Sequence, residues 1–146
     1  MKKLEYKINI NAPAKKVWDA MLHHGTYEIW SGAGWTNSTF EGDWKESAHI
    51  KFIGPSGEGT LVKITQLISF KLIKAEHIAV LLKEGKEDRE SETAKTWIGS
   101  KENYYFGENN GTTHLKVEIE CNPEWEKIFN DGWPNALSKL KEICEQ

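Results

Sequence analysis

The chemistry open to this 146-residue chain starts from five histidines and from one glutamate set among aromatics. His77, in Ala75-Glu-His-Ile-Ala79, falls in a strand-like run where one parity turns its imidazole inward and the other leaves it in water. Glu102 opens the run Glu102-Asn-Tyr-Tyr-Phe106. If it shares a face with Tyr104 and Phe106, its carboxylate stands in an aromatic interior, a setting suited to a general base or to a ligand acceptor; the other parity puts it in solvent. His23 and His24 lie at a helix end, where contact with the helix dipole accounts for them, and His49 and His114 sit among polar strand positions facing water. Cys121 and Cys144 have no Cys-x-x-Cys spacing and read as reduced core thiols rather than as a disulfide or a zinc site. Gly32-Ala-Gly34 and Gly54-Pro-Ser-Gly57-Glu-Gly59 neither follow a strand nor open a helix, so they are turns and not nucleotide loops. No metal-ligand cluster and no nucleophile motif is present, so the expectation is no catalytic residue set, no metal and no cofactor.

The remaining signal is aromatic: seven Trp, four Tyr and five Phe. Trp18, Trp125 and Trp133 recur at helical spacing, which places them on a core-facing stripe. Trp133, beside an expected kink, is the one that could line a pocket with Phe129 and Leu137, and Trp30 and Trp35 would stand at its entrance. Phe52, Tyr104, Phe106 and Val117 are the strand residues whose inward faces would meet that helix. The candidate ligand-binding set is completed by His77 and Glu102 on their inward parities.

Positioning these residues requires the following elements. Leu4, Tyr6, Ile8 and Ile10 alternate with polar residues and predict a first strand. Val17, Trp18, Met21 and Leu22 predict a short helix after Pro13, broken at Gly25 and followed by a brief second helix in the Tyr27–Trp35 stretch. Strand-like runs follow over 36–44, 48–53, 59–69 and 73–82, with a bend or bulge near Gly42. The charged run 83–92 is a solvated loop, and 91–97 fits either a strand or a helical turn. Residues 102–106 and 113–121 form a hairpin around Gly107-Glu-Asn-Asn-Gly111. In its second strand Leu115, Val117, Ile119 and Cys121 share the inner face. Asn122 and Pro123 open a long helix whose apolar stripe runs from Trp125 to Cys144, with a kink expected from Pro134.

A net charge of −3 and a pI near 6.0 argue against a phosphate-neutralising surface, so nucleic acid is not an expected partner. The length fits a single domain over residues 1–146. The basic start Met1-Lys-Lys has no apolar run behind it and no window has membrane-spanning length, so the expectation is a cytoplasmic protein without membrane insertion. The element order gives an α+β fold of helix-grip type, a curved antiparallel sheet wrapped on the long C-terminal helix with two short helices after the first strand. Such a sheet leaves concave apolar space, the usual form of a small-molecule site.

The run Ile8-Asn-Ile-Asn-Ala-Pro-Ala-Lys-Lys-Val-Trp18, Trp30, Glu102-Asn-Tyr-Tyr-Phe106 and Gly132-Trp-Pro-Asn-Ala-Leu-Ser-Lys-Leu-Lys141 resemble the Bet v 1-like (START, SRPBCC) superfamily. Within it, the chain is similar to the bacterial group around the activator of Hsp90 ATPase homologue. The resemblance implies a β-α-α-β-α order with a cavity beneath the long helix, and more about fold than about function. Three functions follow as expectations. The first is non-enzymatic binding of a small, largely apolar molecule, such as a lipid, an aromatic or a polyketide-like compound. The second is contact with a chaperone or other protein, and the third is a cyclase- or hydrolase-like enzyme.

Overall fold

A computed structural model describes all 146 residues. In chain order the elements are β1 (Lys2–Ile10), α1 (Ala14–Leu22), α2 (His24–Gly32), β2 (Thr39–Glu41), β3 (His49–Ile53), β4 (Gly59–Ile68), β5 (Leu72–Leu81), β6 (Glu87–Asp88), α3 (Glu92–Trp97), β7 (Lys101–Asn109), β8 (Thr112–Cys121) and α4 (Glu126–Cys144). The strands form one antiparallel sheet in the order β1-β8-β7-β5-β4-β3-β2, with β6 pairing β5. This is the expected α+β helix-grip fold, with α4 against the sheet's inner face.

The alternation in β1 and β8 does what its period dictates: Leu4, Ile10, Leu115, Val117, Ile119 and Cys121 are buried while their neighbours meet water. On α4 the buried stripe is Phe129, Gly132, Trp133, Ala136, Leu137, Leu140 and Cys144. Its flanks behave differently, with Trp125 and Ile143 half-buried and Ile128 45% exposed. The helix continues through Pro134, which lies on its exposed side, and is preceded by a 3-10 turn over Pro123–Trp125 that Asn122 caps by accepting from the Glu124 N–H. Both cysteines are free and buried.

Several boundaries differ from the sequence expectation. The break between the first two helices falls at His23, whose backbone turns extended, and Gly25 lies inside α2 with its N–H on His23 Nδ1 at 3.3 Å. β2 keeps three residues of the nine expected, and of the bend or bulge expected near Gly42 the chain makes a bend, with Gly42 at φ +122. The register irregularities sit between β4 and β5 instead: Leu61 pairs Ala79 but Val62 pairs His77, leaving Ile78 unmatched. Segment 91–97 is helical, because Ser91 accepts from the Ala94 N–H and caps α3. The β7–β8 hairpin turns on Asn110 and Gly111 alone, both with positive φ, so the strands extend through Asn109 and Thr112.

That tighter turn settles the parity of β7. Phe106 pairs Leu115, Tyr104 pairs Val117 and Glu102 pairs Ile119, so all three face inward with β8's apolar row. On β5, Ile73, Ala75 and His77 are buried, and beyond the unmatched Ile78 the strand joins a separate small cluster of Leu61, Ala79 and Leu81.

Candidate functional site

The concave face divides along α4. Around α1 and the C-terminal half of α4, Val17, Met21, Leu115 and Leu140 fill the interior, each at most 1% exposed. Around the N-terminal half of α4 the interior is hollow. A cavity of about 280 Å³ lies between α2, the loop after it, the β3–β4 hairpin, β5, β7, α3 and α4. Its walls are rings. Trp30 stacks on Trp133 with centroids 5.9 Å apart, Trp35 meets Trp133 edge-on at 5.2 Å, and Tyr104 meets it at 6.0 Å. Tyr27 stands edge-on to Trp30 at 4.9 Å and Trp97 edge-on to Phe129 at 5.8 Å. Rings are stiff plates that meet offset or edge-to-face, so they enclose space that branched aliphatic chains would have filled.

Two glycines set this arrangement. A Cβ on Gly132 would overlap the Trp35 indole, and one on Gly34 would lie 2.5 Å from the Gly132 carbonyl oxygen. The loop after α2 thus lies directly on α4, and Trp35 crosses it at the cavity wall. Trp97 is held by α3, which is tied to α4 through Trp125: the indoles of Trp97 and Trp125 stack at 4.9 Å, and Trp125 Nε1 donates to Thr96 Oγ1 at 3.1 Å.

One wall is polar. Glu102 and His77 are 8% and 4% exposed, side by side on β7 and β5, and Tyr104 donates its hydroxyl to Glu102 Oε2. Glu102 Oε1 lies 3.6 Å from His77 Nε2, beyond hydrogen-bonding reach, and accepts no other hydrogen bond. His77 is fixed by its backbone, whose N–H donates to the Ser100 carbonyl and whose carbonyl accepts from the Gly99 N–H. Its ring lies 5.5 Å from Trp97, and Nδ1 is buried without a partner, as is Trp133 Nε1. Burial first, and then the Glu102 charge, pushes the Tyr104 phenol well above its ordinary value; the same two causes, in that order, raise Tyr27.

Of the residues singled out from sequence, Trp30, Trp35, Phe52, Phe129 and Trp133 line the cavity, and so do His77, Glu102 and Tyr104. Phe106, Val117 and Leu137 do not. Phe106 is two residues further along β7 and packs on Trp18 of α1 at 5.1 Å, within the filled half. Val117, fully buried, and Leu137, one helical turn past Trp133, belong to the main core. Sequence reasoning missed Tyr27, Ser38, Trp97, Ile128 and the hairpin residues Ile53, Gly54, Glu58, Gly59 and Thr60. Tyr27 was within reach as the i−3 neighbour of Trp30, and Trp97 through the Ser91 cap that makes its segment a helix. Nothing local marks the hairpin, which folds over the cavity by tertiary packing.

Fold and hollow together define a helix-grip protein with an aromatic-walled hollow. The chain belongs to the Activator of Hsp90 ATPase homolog 1-like protein family, whose model matches residues 11–145. Among solved structures, it is similar to the Aha1 dimer from Colwellia psychrerythraea, with a TM-score of 0.74 and 20% identity over 99% of this chain and 97% of that one. It is also similar to protein MLL2253 from Mesorhizobium loti (TM-score 0.73, 14% identity, 97% and 96% covered) and to CalU16 from Micromonospora echinospora (0.65, 18%, 97% and 75%). At these identities the likeness is one of fold. No curated protein matches the chain in sequence. No helix is long and apolar enough to cross a membrane.

Proposed function

We propose that the protein binds a small, largely apolar ring compound in the cavity under the N-terminal half of α4, and holds it without turning it over. The observation that carries this reading is the contrast within one interior: a hollow of about 280 Å³ with eight aromatic side chains in its lining, beside a half whose inward positions are filled by fully buried aliphatic side chains. An empty apolar hollow forgoes the dispersion contacts of its lining, a standing cost that a ligand of matching shape removes. At ~30 Å³ per water the volume corresponds to roughly nine waters, so the ligand is about one ring with a short tail, below the usual range for drug-sized sites.

The experiment is native mass spectrometry of the purified protein, followed by a thermal-shift screen of small aromatics, terpenoids and short acyl compounds. A co-purified small molecule, or a hit that raises the melting temperature and changes tryptophan emission, supports the reading; a ligand at 100 Kd stabilises by about 2.7 kcal/mol. Trp133→Phe should diminish the fluorescence response while leaving the fold intact. A protein that arrives empty and responds to nothing in the screen refutes the reading, and surface contact with a chaperone or other protein, as the family's name suggests, becomes the function to test.

A further inference from the structure

Resting on the cavity-binding reading, we infer that the ligand's polar end is a protonated amine, held by Glu102 Oε1. The charges of the lining point this way. No Lys or Arg reaches the cavity; its ionisable groups are Glu102 on the inner wall, Glu58, His77 and two phenols. The one group able to carry positive charge, His77, stands 3.6 Å from Oε1 and makes no hydrogen bond to it.

Glu102 is itself incomplete. Tyr104 satisfies Oε2, while Oε1 keeps its lone pairs open beside the hollow, on a side chain that retains 11% exposure. Oε1 is not sealed off, so it is open to a donor entering the hollow, and a ligand N–H can take that position. A hydrogen bond from a charged donor is about twice as strong as one between neutral groups. The remaining wall is aromatic: Tyr104, which holds Oε2 through its hydroxyl, meets Trp133 edge-on, and Trp133 stacks on Trp30. A carboxylate ligand meets the reverse: a second negative charge next to Glu102, with no Lys or Arg in the lining to pair it. The site should therefore reject fatty acids and aryl acids of a size it could otherwise hold.

Three compounds with the same ring test this: 2-phenylethylamine, 2-phenylethanol and phenylacetate, titrated calorimetrically into the wild-type protein and into Glu102→Gln. The Gln amide oxygen still accepts from Tyr104, so the wall is preserved. The expected ranking on the wild type is amine over alcohol over carboxylate, with the amine at least about tenfold tighter than the carboxylate. In Glu102→Gln the advantage of the amine over the alcohol should disappear. If alcohol or carboxylate binds the wild type as tightly as the amine, or if Glu102→Gln keeps the amine preference, the inference is wrong while the cavity-binding reading stands. If none of the three binds and the wider screen is also silent, both are wrong. Should Glu102→Gln fail to fold, the wild-type ranking decides alone.

Discussion

The two halves of the interior are built on the same sheet and the same helix and end in opposite states. Where α4 ends, Leu137, Ala136 and Leu140 join Val17, Met21 and Leu115 in the core, each at most 3% exposed. Where α4 begins, Phe129 and Trp133 meet Trp30, Trp35, Trp97 and Tyr104, and a hollow remains. Aliphatic side chains of different shapes interdigitate; rings held edge-to-face by two glycines and a bridging indole pair do not collapse on one another. The filled half supplies packing, and the hollow half gives some of it up.

The comparison can be broken most strongly with alkali. The folded protein holds the Tyr27 and Tyr104 phenol protons above pH ~10, where an unfolded chain releases them, so the unfolded state then binds fewer protons and stability falls as pH rises. Tyr6, pushed up to about 12 mainly by burial, acts in the same direction. Cys144, at the filled end and raised to about 11 chiefly by burial, starts the loss near pH 9. Urea melts across the alkaline range should show a fall beginning near pH 9 and steepening past pH ~10. Tyr27→Phe should flatten the steeper part and leave the onset in place.

The next largest effect separates the halves by substitution. Leu140→Ala, at a site with no exposure, should cost about 2–5 kcal/mol in denaturant melts. Phe52→Ala, on a half-exposed cavity wall, should cost clearly less, since it enlarges a space that already exists. Equal costs would mean that the hollow half carries as much of the packing as the filled one.

A smaller effect tests how the hollow is held open. Ser91→Ala removes the α3 cap and should lower stability by about 1 kcal/mol. Since α3 carries Trp97 and Thr96 anchors Trp125, the same change should loosen the Trp97–Trp125 stack and alter near-ultraviolet circular dichroism more than the stability loss alone implies.

Periodicity made the core-facing rows legible in the sequence. The rows Leu115-Val117-Ile119 and Phe129-Trp133-Ala136-Leu140 each have one possible inner face, and with the element order they yield the helix-grip fold. The hollow half was legible only in part. The aromatics pointed to it, but whether Glu102 and Tyr104 faced inward depended on the hairpin turn. A five-residue loop from Gly107 to Gly111 pairs Phe106 with Thr112 and turns Tyr104 outward, whereas the Asn110-Gly111 turn slips the register and turns it inward. His77 shares the inner parity of Ile73 and Ala75, but Ile78, Val80 and Leu82 offer an apolar row on the opposite parity, so the run alone did not choose between them. Phe106, Val117 and Leu137 share all the sequence properties of the lining residues; what excludes them is the line along α4 where filling stops, which is a matter of summed side-chain volume across distant elements.

The central claim is that the hollow half receives a ligand and the filled half does not, and the seven tryptophans are placed to report it. Trp30, Trp35, Trp97 and Trp133 line the cavity, while Trp18 packs on Phe106 and Trp44 on Phe40 outside it. The decisive measurement is a two-dimensional NMR titration of the indole N–H signals with the best hit from the screen. The account predicts that the Trp30, Trp35, Trp97 and Trp133 signals shift together along one binding curve while Trp18 and Trp44 stay in place. Shifts confined to Trp18 and Trp44, or spread evenly over all seven, would contradict it.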